Sequence, residues 1–236
     1  MPFLPSSILY LISYGKGYKR FMCGIFGYIN FNFGDNTDKE ILYKMCKAIE
    51  HRGPDGNGFY IKNNIGIGHN ILAIIDLATG QQPITNEDGK VLISCNGEIY
   101  NYKELSEKLQ QNGHVFKTKT DAEALVHLYE EKGIEFIHSV NGMFSFALWD
   151  DKAKKLFLFR DRFGIKPLYY FIGDNILVFA SELSSILAHP QVNKSMDQLS
   201  AYYYFVYGYI PDPMSIFQKI NKLPSSHYLC FSEGRV

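Results

Sequence analysis

Between Met143 and Ala180 the chain breaks into four short runs, MFSFALWD, KLFLFR, LYYFIG and ILVFA, each separated from the next by turn residues. Runs of that length, rich in aromatic and β-branched residues, read as strands. The same signature recurs upstream in GIFGYINF (Gly24 to Phe31), GFYIKN, IGIGHN, ILAII and KVLISC (Lys90 to Cys95). Helices fit only the intervals. Thr37-x-x-Glu40 is a capping box opening a helix through about Ile49, which the turn-rich HRGPDG (His51 to Gly56) ends. Asn101-x-x-Glu104 caps a second helix that Gly113 terminates, and Thr120-x-x-Glu123 caps a third that runs to about Lys132 and stops at Gly133. SELSSILAH is a short fourth. Strands that pair mostly with sequence neighbours predict an α+β fold of antiparallel sheets with helices packed outside.

The 236 residues are 46% hydrophobic and 15% aromatic, ample for a packed core, and 24 Lys plus Arg balance 24 Asp plus Glu. Zero net charge argues against nucleic acid or an anionic membrane as the partner, since either selects a basic excess. No apolar run reaches the roughly 18 residues that a membrane-spanning helix needs. Cys23, Cys46, Cys95 and Cys230 lie far apart with no C-x-x-C pair, so they read as reduced thiols of a cytoplasmic protein. In the first 21 residues the apolar part precedes Lys16, Lys19 and Arg20, the reverse of a secretory signal. Residues 1–22 are therefore expected to be an appendage, either a pro-segment or a translation start placed too early. Residues 23–189 form the main domain. From Pro190 a linker runs to Lys194, and a stretch with five tyrosines between Tyr202 and Tyr209 suits packing against a neighbouring domain. Residues 190–236 are expected to be that linker and the start of a truncated second domain, with too little chain after Tyr209 to complete it.

Few residues offer chemistry. A lone cysteine beside apolar residues is usually a small core hydrophobe. Met22 directly before Cys23 changes the odds, because removal of that methionine would leave cysteine as residue one. A terminal cysteine carries its own base, an α-amine with a pKa near about 8. Asn96-Gly97 is a hairpin-turn signal, and the same pair can point an amide and an N–H at a developing oxyanion. Asp121 reads as an acidic residue in the first turn of the third helix, or as a carboxylate holding a substrate ammonium. Arg52 and Asp55 read as a turn with a surface charge pair. The seven histidines show no ligand spacing, so no metal is assigned.

Together these pieces resemble the N-terminal glutaminase domain of glutamine-hydrolysing asparagine synthetase, a class II (N-terminal nucleophile) amidotransferase. The stretches that carry the resemblance are MCGIFGYI, HRGPDGNG, IGHNILAIIDLATGQQPI, NGEIYNYKEL, TKTDAEALVHLYEEKG, NGMFSFALWD, FRDRFGIKPLYY and FASELSSIL, running from Met22 to about Leu229 with the exit segment after Tyr207. The resemblance implies an αββα sandwich of two antiparallel sheets. It implies that Cys23 attacks the glutamine amide, that Asn96 and Gly97 form the oxyanion hole, that the Glu98 backbone lines the pocket, and that Asp121 binds the α-amine.

It also implies partners: glutamine, and a synthetase domain in cis or trans that makes a β-aspartyl-AMP from aspartate and Mg-ATP. No cofactor is implied for this chain itself, ATP and Mg belonging to the synthetase half. A homodimer is compatible with the resemblance. Two departures stand out. Where the family reads H-x-R-L-[SA]-I, this chain reads His69-Asn70-Ile71-Leu72-Ala73-Ile74, so Ile71 replaces the arginine expected to clamp the α-carboxylate. Losing one partner of a desolvated charge pair costs about 2–5 kcal/mol. Arg52, near the pocket mouth, is the candidate substitute charge. The second departure is that no S-G-G-x-D-S pyrophosphate loop occurs in the chain. Alternatives of other kinds are a catalytically silent binding or regulatory module and an amidotransferase domain serving a different acceptor.

Overall fold

The computed structural model describes residues 22–32, 34–72 and 81–236. Residues 1–21 of the expected appendage, and Ala73 to Gly80 of the stretch containing the ILAII run, lie outside the described residues. In chain order the elements are β1 (Gly24–Asn30), α1 (Lys39–Ala48), β2 (Gly56–Lys62), β3 (Ile65–Ile71), β4 (Ile84–Thr85), β5 (Val91–Ile99), α2 (Tyr102–Gln111) and α3 (Glu123–Lys132). They continue as β6 (Gly142–Asp150), β7 (Lys155–Arg160), β8 (Tyr169–Ile172), β9 (Ile176–Ala180), α4 (Leu183–Leu187), α5 (Gln198–Tyr207), β10 (Ile220–Lys222) and β11 (Tyr228–Ser232).

The strands form a six-stranded sheet ordered β10-β8-β9-β1-β3-β2 and a five-stranded sheet ordered β11-β7-β6-β5-β4. Every pairing is antiparallel. Sequence neighbours do pair along β4 to β7, but β1 is inserted between β3 and β9, so the first strand sits inside its sheet rather than at an edge. Two strands from the stretch after residue 190, β10 and β11, are hydrogen-bonded to β8 and β7 and form one edge of each sheet.

Period-two alternation explains the layers. On β1, Ile25 and Ile29 face the second sheet and pack with Leu92, Trp149, Leu158 and Phe179, while Phe26 and Tyr28 face outward onto Leu42, Met45 and Ile49 of α1 and its C-terminus. Helices α2 and α3 cover the other outer face, with Leu105, Leu125 and Leu128 against Ile93, Phe144 and Phe146. The result is the four-layer αββα sandwich that the resemblance implies.

Three local readings change. The N-cap of α1 is Asp38, one residue past Thr37, whose carboxylate accepts the Glu40 N–H at 2.8 Å. Asn101 does precede α2, but its amide donates to the Ser139 carbonyl and accepts from the Asn141 N–H, spending the cap on a neighbouring loop. Thr120 does not cap α3 either: the helix starts at Glu123, whose buried carboxylate takes the N–H groups of Lys117 and Thr118.

A buried polar link joins the two sheets. His69 of β3 is fully buried, with Nδ1 3.0 Å from Ser94 Oγ of β5, and Ser94 donates to the Gly68 carbonyl at 3.3 Å. Since the serine proton is used, His69 Nδ1 carries the hydrogen. Burial pushes the imidazole down to about 3 from its ordinary 6.5. Below about 6.5 the unfolded chain takes up a proton that the folded ring refuses, so this group removes stability as pH falls through that window toward about 3. Ser94→Ala strands the buried ring N–H, at a cost of about 1–3 kcal/mol, and should lower Tm by roughly 2–10 °C in calorimetry at pH 7. An unchanged Tm would mean that the link contributes nothing.

Candidate active site

Cys23 immediately precedes β1 and continues the inward-facing row of Ile25 and Ile29. Its Sγ accepts the Leu72 N–H at 3.3 Å and donates to the Leu72 carbonyl at 3.5 Å, just past the end of β3. Burial pushes the thiol above its ordinary value, opposed by the Leu72 N–H and by the positive charges of Arg52 and Lys166. At neutral pH the group is therefore a protonated thiol that needs a base before it can attack.

Arg52 is not a surface charge. It is buried, its Nε donates to the Cys23 carbonyl at 3.0 Å, and its Nη1 pairs with Glu182 at 2.8 Å. The turn that HRGPDG makes after α1 is what points the side chain inward, and Glu182, at the end of the strand next to β1, neutralises it. Arg52 thus holds the nucleophile's main chain. Ile71 ends β3 one residue before Leu72, on the same inward row as Ile67 and His69.

Asn96 and Gly97 do not form a turn. They lie in the middle of β5, opposite Ser145 and Phe144 of β6. The Asn-Gly turn preference is overridden by a ladder that continues to Ile99. A Cβ at Gly97 would stand 2.2 Å from the Met143 carbonyl oxygen and 2.6 Å from the Phe144 Cα, so only glycine fits. Leu92, Ser94 and Asn96 alternate onto the face that looks across to β1 and β3. Asn96 is 2% exposed, and its Nδ2 is buried with no hydrogen-bond partner. A buried amide donor left without an acceptor costs about 1–3 kcal/mol, which is tolerated where an acceptor arrives with a ligand.

Asp121 sits in the turn before α3 rather than in its first turn, and its Oδ2 accepts the Ile99 N–H at 2.6 Å. Burial raises its pKa, the Ile99 and Ala122 N–H groups oppose this, and the charge of Glu98 adds to the rise. Glu98 itself is half-buried near the end of β5. Burial raises the Cys95 thiol, with smaller contributions from the charges of Asp121, Cys23 and Lys166.

Three participants carry no role in the sequence reading. Lys166 is largely buried with Nζ 3.6 Å from Met22 Sδ, and its loop is organised by Asp161, whose carboxylate accepts the N–H groups of Phe144, Phe163, Ile165 and Lys166. Gln82 clamps β5, accepting the Cys95 N–H at 2.6 Å and donating to the Cys95 carbonyl at 3.1 Å. Glu182 pairs with Arg52. The signals were present in GIKPLYY, GQQPI and SELSSIL, but spacing alone assigns those residues nothing.

Residues 22–236 match the family described as glutamine amidotransferase domain. This chain belongs to that family. It is 43% identical over 215 residues to asparagine synthetase [glutamine-hydrolyzing] 2 of Bacillus subtilis, covering 88% of this chain and 28% of that protein. It is 40% identical over 231 residues to a putative asparagine synthetase [glutamine-hydrolyzing] 2 of Methanocaldococcus jannaschii, covering 89% of this chain and 44% of that one. The chain thus spans less than half the length of these curated relatives. In fold, this amidotransferase domain resembles the glutamine phosphoribosylpyrophosphate amidotransferase from B. subtilis, with a TM-score of 0.60 at 18% identity over 89% of this chain and 49% of that one.

The raised Cys23 thiol sets a checkable reactivity. In the 236-residue chain, iodoacetamide labelling of Cys23, read by peptide mapping, should be slower at pH 7 than that of an exposed cysteine peptide. The deficit is about tenfold for each unit by which the thiol is raised, and it should close as pH climbs past 9. Equal rates at pH 7 would contradict the assigned protonation state.

Proposed function

We propose that this chain hydrolyses the side-chain amide of glutamine through Cys23 once residues 1–22 are removed, delivering ammonia to a synthetase half that converts aspartate to asparagine at the expense of ATP. The observation that carries the reading is the unpartnered Asn96 amide, buried on the face that looks toward the Cys23 thiol. A donor with nothing to bind in the resting state is what an oxyanion hole requires, because the donor is satisfied only when negative charge develops on the substrate.

In this scheme the free α-amine of Cys23 takes the thiol proton, Sγ attacks the amide carbon, and the oxygen that becomes negative is held by Asn96 Nδ2 and the Gly97 N–H. The C–N bond then breaks, the ammonium proton returns with the leaving nitrogen, and a glutamyl thioester remains until water releases glutamate and the thiol. Arg52, through the Cys23 carbonyl, fixes the nucleophile's main chain. Asp121 and the backbone at Glu98 hold the substrate's α-ammonium.

ATP and Mg2+ would serve the synthetase half. The exposed aromatic side of α5, with Phe205 85% exposed and Tyr202 62%, supports docking of that half there. The same exposed face, together with Ile71, is what favours the second reading, a silent binding module.

Glutamate release from glutamine by protein whose N-terminus is confirmed by mass to be Cys23 separates the two. The proposal expects turnover that Cys23→Ala abolishes and that Asn96→Ala lowers about 100- to 1000-fold in kcat. A folded protein without turnover supports the silent module.

Ile71 stands where the family places an arginine against the substrate carboxylate, and Arg52 spends Nε and Nη1 on the Cys23 carbonyl and Glu182. Ile71→Arg should therefore lower KM for glutamine by roughly 30-fold or more. An unchanged KM would mean that another group already holds that carboxylate.

A further inference from the structure

The histidines that lack any ligand spacing along the chain are brought together by the fold in one place. Glu87 lies in the turn between β4 and β5, His114 in the loop after α2, and His127 and Glu130 one turn apart on α3. One donor atom from each of the four falls within 4.8 Å of all the others. The rings of His114 and His127 are 4.9 Å apart, and both turn Nδ1 toward the same two carboxylates.

His114 Nδ1 is 3.8 Å from Glu87 and 3.9 Å from Glu130, and His127 Nδ1 is 3.5 Å from Glu87 and 3.3 Å from Glu130. A tetrahedral zinc ion with bonds of about 2.0–2.1 Å has ligand-to-ligand edges of about 3.4 Å. The two His127 distances match that edge length, and the two His114 distances exceed it by about half an ångström.

The surroundings have the form of a ligand shell. Glu130 spends Oε1 on the Asn86 amide and turns Oε2 to both histidines, while Glu87 turns Oε2 to His127 and shares Oε1 between the Val115 N–H and His114. Each histidine has a further carboxylate behind it, Glu131 at 3.4 Å from His114 Nε2 and Glu123 at 3.8 Å from His127 Nε2. A metal-bound histidine characteristically donates its second ring nitrogen to such a group. His127 is fully buried, and its Nε2 has no hydrogen-bond partner. Two neutral imidazoles and two carboxylates carry a charge of −2, which a divalent ion cancels, and a mixed nitrogen and oxygen set suits zinc better than magnesium or calcium.

We propose that Glu87, His114, His127 and Glu130 form a tetrahedral zinc site that ties the β4–β5 turn and the loop after α2 to helix α3. The loop it braces runs from His114 into Thr120 and Asp121, so the ion would stiffen the segment that presents the Asp121 carboxylate. The site is remote in sequence from Cys23 and stands apart from the amidotransferase reading.

The test uses the 236-residue chain, stripped with chelator and titrated with Zn2+ alone, with bound metal counted after dialysis. The expected result is one zinc per chain, with a Tm raised by about 5–10 °C at roughly 100-fold excess over Kd. Binding should weaken at least about tenfold in Glu87→Gln and in His114→Gln, both of which alter side chains at or near the surface. Co2+ in place of zinc should give the visible absorption of a tetrahedral nitrogen and oxygen site. Folded wild-type protein that binds no zinc would overturn the proposal, as would binding that persists in the double variant or a thiolate-to-cobalt absorption band.

Discussion

Two β-sheets can pack face to face only if the side chains between them exclude water, and that constraint organises both the core and the site. The alternation that buries Ile25 and Ile29 of β1 against Leu92 and Trp149 also delivers the position of Cys23 to the inner face. The same period sends Ile71 from β3 and Asn96 from β5 inward at the same end of the sandwich. A thiol and an amide placed there are desolvated by the fold itself. Burial raises the Cys23 thiol, and it leaves the Asn96 amide nitrogen without a protein hydrogen-bond partner. The chemistry proposed for the site is thus a consequence of where the apolar seam ends.

Around that seam the polar groups divide into those already satisfied and those held open. Nε and Nη1 of Arg52 are committed to the Cys23 carbonyl and Glu182, Gln82 to both backbone groups of Cys95, and Asp161 to four N–H groups of its own loop and β6. These fix the walls. Asn96 Nδ2 is an open donor on the inner face. Rigid walls with unspent groups aimed inward favour binding of a transition state over binding of water, because no reorganisation is needed when charge appears.

Much of this was legible in the sequence. Most strand runs and the intervals of α1 to α4 follow from composition and turn chemistry, and the stretches shared with the family named the fold, while α5 was not read as a helix and Asp121 lies just before α3 rather than in its first turn. What local rules misjudged were places where tertiary contacts outbid them. Asn96-Gly97 satisfies a turn rule, yet β6 lies alongside and the ladder runs through it. Thr37, Asn101 and Thr120 satisfy capping rules, yet Asp38 does the capping of α1, while Asn101 and Glu123 bond to loops brought near by the fold. Arg52 looked like a surface charge because its partner, Glu182, is 130 positions away. The cluster of Glu87, His114, His127 and Glu130 was invisible for the same reason: its ligands come from three segments, and no spacing rule spans them.

The central claim is that Cys23 is a nucleophile that forms a glutamyl thioester. It is tested most directly by mixing protein beginning at Cys23 with glutamine, quenching in acid within the first turnover, and locating any adduct by peptide mass. A glutamyl adduct on the Cys23 peptide, absent in Cys23→Ser treated the same way, is the predicted result. Glutamate formed without such an adduct, or an adduct on Cys46, Cys95 or Cys230 instead, would contradict the account.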